Sequence, residues 1–219
     1  MTTPALVILD LAGTTVEDSG QVPYAFASAL GANGITVTDD DITRVRGSSK
    51  REAIRNLLPP ERIGDADRIY EEFRRQLALL YQSGVRAIPG AAEVIRDLRA
   101  RGIKVALTTG FDRNIVTLLM TSLGWPPDSV DAVVCGDEVP RGRPAPDLIF
   151  VAMKLTMVED LASVANVGDT TLDLESAARA GVRWNIGVLS GAHSREALEQ
   201  APHTDIIQSV GELMKVLGS

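Results

Sequence analysis

The chain of 219 residues has a net charge of −7, because 29 acidic residues outnumber 22 basic ones, and both signs are interspersed along it. This balance makes nucleic acid and anionic membrane surfaces poor partners, and we predict neither. No apolar run approaches the roughly 20 residues of a membrane span, and a lone cysteine, Cys135, forms no intrachain disulfide. The first residues lack the basic region of a signal peptide, so we expect a cytoplasmic protein.

The first predicted strand covers residues 6–9 and leads directly into Asp10 and a loop of small residues. The segment that follows, residues 17–87, contains no strand-like run and is rich in helix formers and charged residues. Its pattern predicts helices at 24–31, 39–45, 50–58 and 65–83. We therefore predict a helical cap over residues 17–87, inserted after the first strand.

From residue 88 onward, short apolar runs alternate with amphipathic segments. The predicted strands are 105–107, 132–134, 163–167 and 183–188, and the predicted helices are 91–101, 114–123, 146–155 and 172–180. This alternation is typical of a parallel sheet with right-handed crossovers. The predicted fold class is therefore α/β, with a Rossmann-like parallel sheet core formed by residues 1–16 and 88–219.

Polar residues follow four of the predicted strands, at the edge where open α/β sheets bind ligands. They are Asp10, Thr108, Thr109 and Gly110, Arg143, and Asp169 with Asp173. Taken singly, each has an ordinary explanation: an aspartate can cap a helix, Thr-Thr-Gly can form a turn, and an arginine before proline can be a solvated loop charge. Together, however, carboxylates from the first and fourth strands would repel each other unless a divalent cation lies between them.

Mg²⁺ suits this pattern because it takes a few carboxylates together with phosphate oxygens of a substrate. The predicted Mg²⁺ ligands are Asp10, Asp169 and Asp173, and the predicted binding residues for a small phosphorus-bearing substrate are Thr109, Gly110 and Arg143. Arg143 would balance the charge that develops during the reaction. Asp10 then has the role of a nucleophile that attacks phosphorus to give an aspartyl-phosphate.

In this order, the motifs resemble the haloacid dehalogenase superfamily. They are Asp-x-x-Gly-Thr at the first strand, a hydroxyl after the second, a basic residue before proline, and Gly-Asp-Thr-x-x-Asp after the fourth. The resemblance covers residues 6–188, and the helical insertion matches the first type of cap in that superfamily. It implies the same core fold and a Mg²⁺-dependent hydrolase.

Position 12 departs from most phosphatases of this superfamily, which carry there an aspartate that protonates the departing alkoxide. Ala12 offers only its backbone carbonyl, which the resemblance makes a further Mg²⁺ ligand. The segment Leu-Ala-Gly-Thr-Thr-Val resembles the phosphonatase branch, whose members hydrolyse phosphonoacetaldehyde to acetaldehyde and phosphate. In that branch a cap lysine forms a Schiff base with the aldehyde, and the protonated imine takes up the electrons of the breaking C–P bond.

Lys50 resembles that lysine in its position, and residues 17–87 contain no other lysine. The resemblance implies that Lys50 is catalytic and that its loop, which includes Gly47, binds the substrate. We expect burial, with help from Arg46 and Arg143, to lower the pKa of Lys50 to about 7–8. Two other roles remain open: Lys50 clamps a phosphate, as an arginine does in related sugar-phosphate mutases, or it is a solvated charge.

Four residues differ from the phosphonatase pattern. Ala53 replaces a histidine, Arg46 a methionine, Gly20 a cysteine, and Phe111 a tyrosine. The replaced residues assist proton transfer and substrate fit in the phosphonatase branch. We therefore predict a phosphonatase-like hydrolase with phosphonoacetaldehyde as the model substrate, and these replacements leave a different small phosphonate open as its true substrate.

Three other functions compete with phosphonate hydrolysis. A phosphomonoester phosphatase would use Lys50 as a clamp and manage without the general acid. A dehalogenase would attack carbon without a metal, but such a site has no need to gather Asp169 and Asp173 beside Asp10. A phosphate-binding protein without activity would have no use for a lid that excludes water.

The remaining expectations concern assembly and the histidines. Phosphonatases are dimers through their caps, and an apolar stripe formed by Ile69, Phe73, Leu77 and Leu80 could serve as that contact or pack within the cap. We expect a homodimer. His193 and His203 follow the last predicted strand, and we expect both to lie at the surface without a catalytic role.

Overall fold

The computed structural model describes residues 3–218. Its sheet has six parallel strands in the order β3-β2-β1-β4-β5-β6. The strands are β1 Leu6–Asp10, β2 Lys104–Thr108, β3 Ala132–Val134, β4 Val164–Gly168, β5 Trp184–Val188 and β6 Asp205–Ile207. The predicted α/β fold with a parallel sheet is confirmed, and β6 is a strand that the sequence pattern did not predict.

Helices cover both faces of the sheet and form the cap. The cap contains α1 Gln21–Gly31, α2 Asp39–Val45, α3 Lys50–Leu57 and α4 Ala66–Gln82, with a 3₁₀ helix at Pro60–Asp65. The core contains α5 Ala91–Ala100, α6 Arg113–Ser122, α7 Asp147–Thr156, α8 Thr171–Ala180, α9 Arg195–Glu199 and α10 Leu213–Leu217, with 3₁₀ turns at Pro127–Ser129, Leu161–Ser163 and Val210–Glu212. The helical insertion after β1 is therefore confirmed, and it is α1–α4.

Strand β1 lies at the centre of the sheet, paired with β2 on one side and β4 on the other. Val7 and Leu9 belong to the apolar cluster on one face of the sheet, whereas Leu6 and Ile8 belong to the cluster on the other. Each fully buried side chain of this size contributes roughly 1.5–3 kcal/mol. Because both faces are covered, the strand is apolar throughout, and Asp10 is its first polar residue.

The cap has its own apolar core, in which α1 packs along α4. The Phe26 and Phe73 rings lie 4.5 Å apart, and Ile69 and Leu77 are fully buried. Most of the apolar stripe of α4 therefore packs within the cap, and Leu80 is partly buried beside it. The homodimer remains a prediction, and the buried residues of this stripe do not form its contact surface.

Two chain segments connect the cap to the core, and they pair with each other. Val16 and Ala87 form an antiparallel bridge. On either side of it, the Glu17 N–H donates to Arg86 O at 2.9 Å, and the Ile88 N–H donates to Thr15 O at 3.0 Å. Backbone pairing therefore ties the two segments at the boundaries that we predict for the cap, next to the loop that follows Asp10.

Among the described residues, none of the helices combines the length and the apolar content that a membrane span requires.

Met157, which ends α7, has left-handed backbone angles, with φ 58° and ψ 34°, and its side chain is exposed. This conformation costs an L-residue roughly 1–2 kcal/mol, whereas glycine adopts it freely and is the usual residue at this helix position. We predict that Met157→Gly raises the free energy of unfolding by about 0.5–1 kcal/mol in a urea titration, after the entropic cost of glycine is subtracted. Met157→Ala is the control, because it removes the exposed side chain and keeps the strain. An equal gain in both variants would contradict the backbone explanation.

Candidate active site

The candidate site begins at the carboxyl end of β1, where Asp10 is brought to the edge of the sheet. Parallel pairing places Asp10 next to Thr108, the last residue of β2. Only 6% of Asp10 is exposed. Burial raises the pKa of Asp10 to about 6, against the opposing effect of the nearby Arg143 guanidinium. The end of β1 thus places a carboxylate at a position on the sheet edge from which solvent is almost excluded.

Arg143 connects three buried side chains at this edge. Its Nη1 donates to Asp10 Oδ1 at 2.6 Å and lies 2.9 Å from Asp173 Oδ1. Its Nη2 donates to Thr108 Oγ1 at 2.7 Å. The guanidinium is therefore placed against the carboxylates, where it offsets part of their charge and can also face a bound anion.

Asp169, after β4, is the second carboxylate of the cluster. Its Oδ2 accepts the Ala192 N–H at 2.7 Å, and its Oδ1 accepts from Thr14 Oγ1 at 3.4 Å. Burial raises the pKa of Asp169 to about 8, and the charge of Asp10 acts in the same direction. A buried carboxylate whose pKa is raised by a neighbouring carboxylate favours a cation between the two groups.

Asp173 is placed differently from the other predicted metal ligands. Its Oδ2 accepts from the backbone N–H of Thr170 at 3.1 Å and from Thr170 Oγ1 at 2.5 Å, while the Asp173 N–H faces the Thr170 hydroxyl. The pair forms a capping box at the start of α8. With Oδ1 directed at Arg143, Asp173 positions the arginine and the helix.

All of the predicted site residues except Asp173 line one small cavity of about 20 Å³. They are Asp10, Ala12, Gly47, Lys50, Thr109, Gly110, Arg143 and Asp169. In the cavity wall, Thr109 Oγ1 accepts the Phe111 N–H at 3.1 Å, which orients the turn that follows β2. A space of this volume holds about one water molecule, so the cap lies closed over the carboxylates.

The donor set of this cavity fits Mg²⁺. The carboxylates of Asp10 and Asp169 and the backbone at Ala12 supply hard oxygen atoms, which Mg²⁺ prefers. The loop after β1 closes on Asp169 because residue 13 is glycine: a Cβ there would lie 2.3 Å from Asp169 Oδ2. The fit to Mg²⁺ therefore rests on the negative charge of the two carboxylates and on the oxygen atoms that they and the Ala12 backbone supply.

The cap touches the core through the loop that carries Gly47. Gly47 has φ 89°, and a Cβ there would lie 2.4 Å from Thr170 Oγ1. A Cβ on Gly110 would lie 2.2 Å from Ser48 O, and the Lys50 N–H donates to Gly110 O at 3.1 Å. Gly110 therefore permits backbone contact between the cap loop and the turn after β2, and Gly47 permits close approach of the same loop to the Thr170 side chain after β4.

Lys50, the first residue of α3, is buried in this contact, with 7% of the residue exposed. Its Nζ donates to Ser48 O at 3.2 Å and lies 5.0 Å from the centre of the Phe111 ring. Burial lowers the pKa of Lys50 to about 8, with Asp10 opposing and Arg46 and Arg143 assisting the shift. About a tenth of the amine is therefore neutral at pH 7, which agrees with the expected lowering.

A family model described as haloacid dehalogenase-like hydrolase matches residues 7–187. The chain belongs to this family. It is 31% identical to a phosphonoacetaldehyde hydrolase of Bacillus cereus over 201 residues, which cover 85% of this chain and 76% of the relative. This membership confirms the resemblance drawn from the motifs and shows that the protein is a hydrolase.

Solved structures share the fold of this haloacid dehalogenase-like hydrolase. A phosphonoacetaldehyde hydrolase-like protein of Oleispira antarctica is 27% identical, with a TM-score of 0.86, over 98% of this chain and 91% of that one. CbbY of Rhodobacter sphaeroides, in complex with phosphate, is 21% identical, with a TM-score of 0.77, over 96% of each chain. At 21% identity, the likeness to CbbY shows the fold alone.

The loop after β5 is a part of the haloacid dehalogenase-like site that sequence reasoning missed. Ser190 Oγ donates to Gly13 O at 2.7 Å, and Ala192 holds Asp169 as described above. His193 Nδ1 accepts the Thr171 N–H at 3.1 Å, so its Nε2 carries the proton and faces Thr43 O of the cap at 3.3 Å. The expectation of a surface histidine did not include this bridge from core to cap. The loop contains no carboxylate that would mark it as part of a site. Its position directly after a strand was therefore the only sequence signal.

A second contact between cap and core also went unpredicted. Tyr70 Oη of α4 donates to Asp112 Oδ2 at 2.6 Å, and Arg74 Nε lies 2.8 Å from the same oxygen. Asp112 caps α6 through its other oxygen, which accepts the N–H groups of Asn114 and Ile115. The Asp112 side chain thus caps a core helix and also contacts the cap. No local sequence pattern indicates the contact with the cap.

Proposed function

We propose that this protein hydrolyses the C–P bond of a small phosphonate that carries a carbonyl group, with Asp10 as nucleophile and Lys50 as the Schiff-base lysine. The observation that carries the proposal is the Lys50 amine, buried and largely deprived of solvent, which shares a cavity with the Asp10 carboxylate. The relative from Bacillus cereus, named phosphonoacetaldehyde hydrolase, supports the same chemistry.

The proposed reaction begins when the neutral amine of Lys50 adds to the carbonyl carbon. With uptake of one proton from solvent, the former carbonyl oxygen leaves as water, and a protonated imine remains. An oxygen of Asp10 then bonds to phosphorus while the C–P bond breaks, and the electron pair of that bond passes through carbon to the imine nitrogen. The products of this step are an enamine on Lys50 and an aspartyl-phosphate on Asp10. Water hydrolyses the acyl phosphate, and protonation at carbon followed by hydrolysis of the imine releases the carbonyl product.

This route explains alanine at position 12. In a phosphate ester the leaving alkoxide needs a proton at the moment of cleavage, which an acidic side chain supplies. In the proposed reaction the imine nitrogen receives the electrons, so no acid is needed at that moment. Ala12 then serves only through its backbone, in the wall of the cavity.

We propose that Asp10, the Ala12 carbonyl and Asp169 hold Mg²⁺, with Asp173, also predicted as a ligand, positioning Arg143 from behind. Bound there, Mg²⁺ would offset the charges of the carboxylates and of the phosphonate, so that two anions can approach each other. Thr109, Gly110, Gly47 and Arg143 surround the position of the phosphonate in this proposal.

The proposal predicts that borohydride, added to the protein with Mg²⁺ and phosphonoacetaldehyde, fixes a stable adduct on Lys50 and that phosphate is released without borohydride. Lys50→Arg should lose both the adduct and at least about 99% of the phosphate release, because arginine forms no imine and the covalent step is absent. Mass spectrometry of peptides locates the adduct. Lys154→Arg, a change at an exposed residue of α7, is the control and should behave like the original protein.

The alternative is a phosphomonoester phosphatase in which Lys50 clamps the phosphate. It has one observation in its favour: within residues 3–218, Lys50 Nζ donates a single hydrogen bond, to Ser48 O, and the protonated amine keeps two donors for an anion. Phosphate release from an ester that survives in Lys50→Arg, with no borohydride adduct in the unaltered protein, would establish this function and exclude the phosphonatase route.

A further inference from the structure

A cleft of about 440 Å³ adjoins the catalytic cavity and shares two wall residues with it, Lys50 and Gly110. The cap contributes Arg51, Tyr70 and Arg74 to its walls, and the core contributes Asp112. We call it the Arg51 cleft. Its volume lies in the range of small-molecule sites, whereas the catalytic cavity has room for only about one water molecule.

The acidic groups of the Arg51 cleft are already engaged. Glu71 accepts from Arg74 Nη1 through both oxygens, at 3.0 and 2.8 Å. Asp112 accepts from Tyr70 and from the start of α6 and lies beside Arg74, as described above. Asp137 accepts the Arg113 N–H at 3.2 Å. The acceptors that face the cleft are therefore largely used within the protein.

Arg51, a basic residue in the wall of the cleft, is less engaged. Arg51 Nη1 pairs with Asp67 at 3.2 Å, but both side chains are more than half exposed, so this pair contributes little. Among residues 3–218 the structure gives Arg51 Nε and Nη2 no hydrogen bond. The Arg51 guanidinium lies 5.1 Å from the centre of the Tyr70 ring, and the Asp112 contact fixes that ring. Arg51 is thus held in place with donors to spare.

We infer that the Arg51 cleft binds a carboxylate at the far end of the substrate. The inference rests on the proposed function: a chain that starts at phosphorus beside Asp10 and passes the carbonyl at Lys50 continues into this cleft. The free donors of Arg51 match a carboxylate. The substrate class is a carbonyl phosphonate whose carbon chain runs past the carbonyl to a carboxylate.

The test compares two ketones whose carbonyl group has the same position relative to phosphorus, so that the reactivity of the carbonyl group is matched. Phosphonolevulinate carries the carboxylate chain, and acetonylphosphonate has the same ketone next to the phosphonate but lacks the chain. We expect the unaltered protein to bind phosphonolevulinate more tightly, and Arg51→Gln to weaken that binding about tenfold or more in calorimetry, with binding of acetonylphosphonate unchanged. Arg55→Gln, an exposed change on the same helix, removes the same charge and should leave both affinities unchanged.

The methyl ester of phosphonolevulinate separates charge from chain length and should bind like acetonylphosphonate. Equal affinity for the acid and its ester in the unaltered protein, or an acid affinity that Arg51→Gln leaves unchanged, would overturn the inference. Binding is measured independently of borohydride adducts. If no carbonyl compound forms an adduct, the proposed function fails, yet tight binding that depends on Arg51 would still support an anion site in the cleft.

Discussion

Replacement of Asp10 by asparagine is expected to abolish phosphate release, with a loss of at least about 10⁴-fold, because the amide cannot attack phosphorus. The loss should be the same for a phosphonate and for a phosphate ester, since both proposed reactions pass through the Asp10 carboxylate. Asparagine keeps the size of the side chain, and its oxygen can still accept from Arg143. Steady-state phosphate release at saturating substrate and Mg²⁺ measures the effect.

The control for this variant is Asp97→Asn, which removes an acid from the exposed face of α5 and should retain full activity. A thermal melt in the absence of divalent cations tests whether the fold survives. Because burial raises the pKa of Asp10 to about 6, the ionised carboxylate is disfavoured in the folded state near neutral pH. We therefore expect a melting temperature equal to or above that of the unaltered protein. Activity within tenfold of the original would remove Asp10 from the mechanism.

The same melts test the proposed metal site without reference to turnover. Mg²⁺ bound at the proposed site would stabilise the folded state and should raise the melting temperature of the unaltered protein. The rise should shrink in Asp10→Asn and in Asp169→Asn, which each lose one ligand. In Asp173→Asn it should be larger than in those two variants, because Asp173 contacts Thr170 and Arg143 and does not line the cavity.

Much of the fold followed from the sequence because the strands are buried on both faces. β1 is apolar up to Asp10, and β4 and β5 are apolar runs that each contain one asparagine, Asn166 and Asn185. The helices between the strands have clear stops such as Gly181. Strand β6 escaped prediction because its three residues begin with Asp205 and offer too short a run for any period to show. Its pairing with β5 is a tertiary contact that local pattern does not reveal.

The site was predictable to the extent that it follows from strand ends. We predicted that Asp10, Arg143 and Asp169 lie together because parallel strands bring their carboxyl ends to one edge, and the three residues line one cavity. The different placement of Asp169, which lines the cavity, and of Asp173, which does not, was not predicted, since it depends on the Thr170 hydroxyl, which engages Asp173 in a capping box. Which partner the Asp173 carboxylate binds depends on the positions of the competing groups in the folded chain, and a sequence pattern does not give those positions.

The cap contacts show the same limit. The sequence identified Lys50 by resemblance and predicted a lowered pKa from burial, but it could not name the groups that bury it. Phe111 and Gly110 come from the turn after β2, far along the chain from α3. The bridges made by His193 and by Tyr70 with Asp112 likewise join residues from distant parts of the sequence.

Replacement of Arg143 by methionine is expected to destabilise the folded protein by about 3 kcal/mol at pH 7.5 without Mg²⁺, besides abolishing activity. Arg143 is the buried cation that contacts both Asp10 and Asp173, and its removal leaves two buried carboxylates uncompensated. Urea unfolding measures the change. Arg141→Met, which breaks an exposed pair with Asp147, is the control and should cost less than about 1 kcal/mol.

The cost of Arg143→Met should depend on pH, with a sign that follows from proton linkage. Loss of Arg143 raises the pKa of Asp10 above its value of about 6, because the guanidinium no longer favours the ionised form. A carboxyl whose folded-state pKa lies above its unfolded value holds its proton more tightly when folded, so stability falls as the pH rises between the two values. The difference between the variant and the unaltered protein should therefore be small near pH 5 and grow above about pH 6. Asp10→Asn combined with Arg143→Met should recover part of the loss at pH 7.5, since it removes one of the two carboxylates. A cost that is independent of pH and unaffected by Asp10→Asn would instead assign the role of Arg143 to packing.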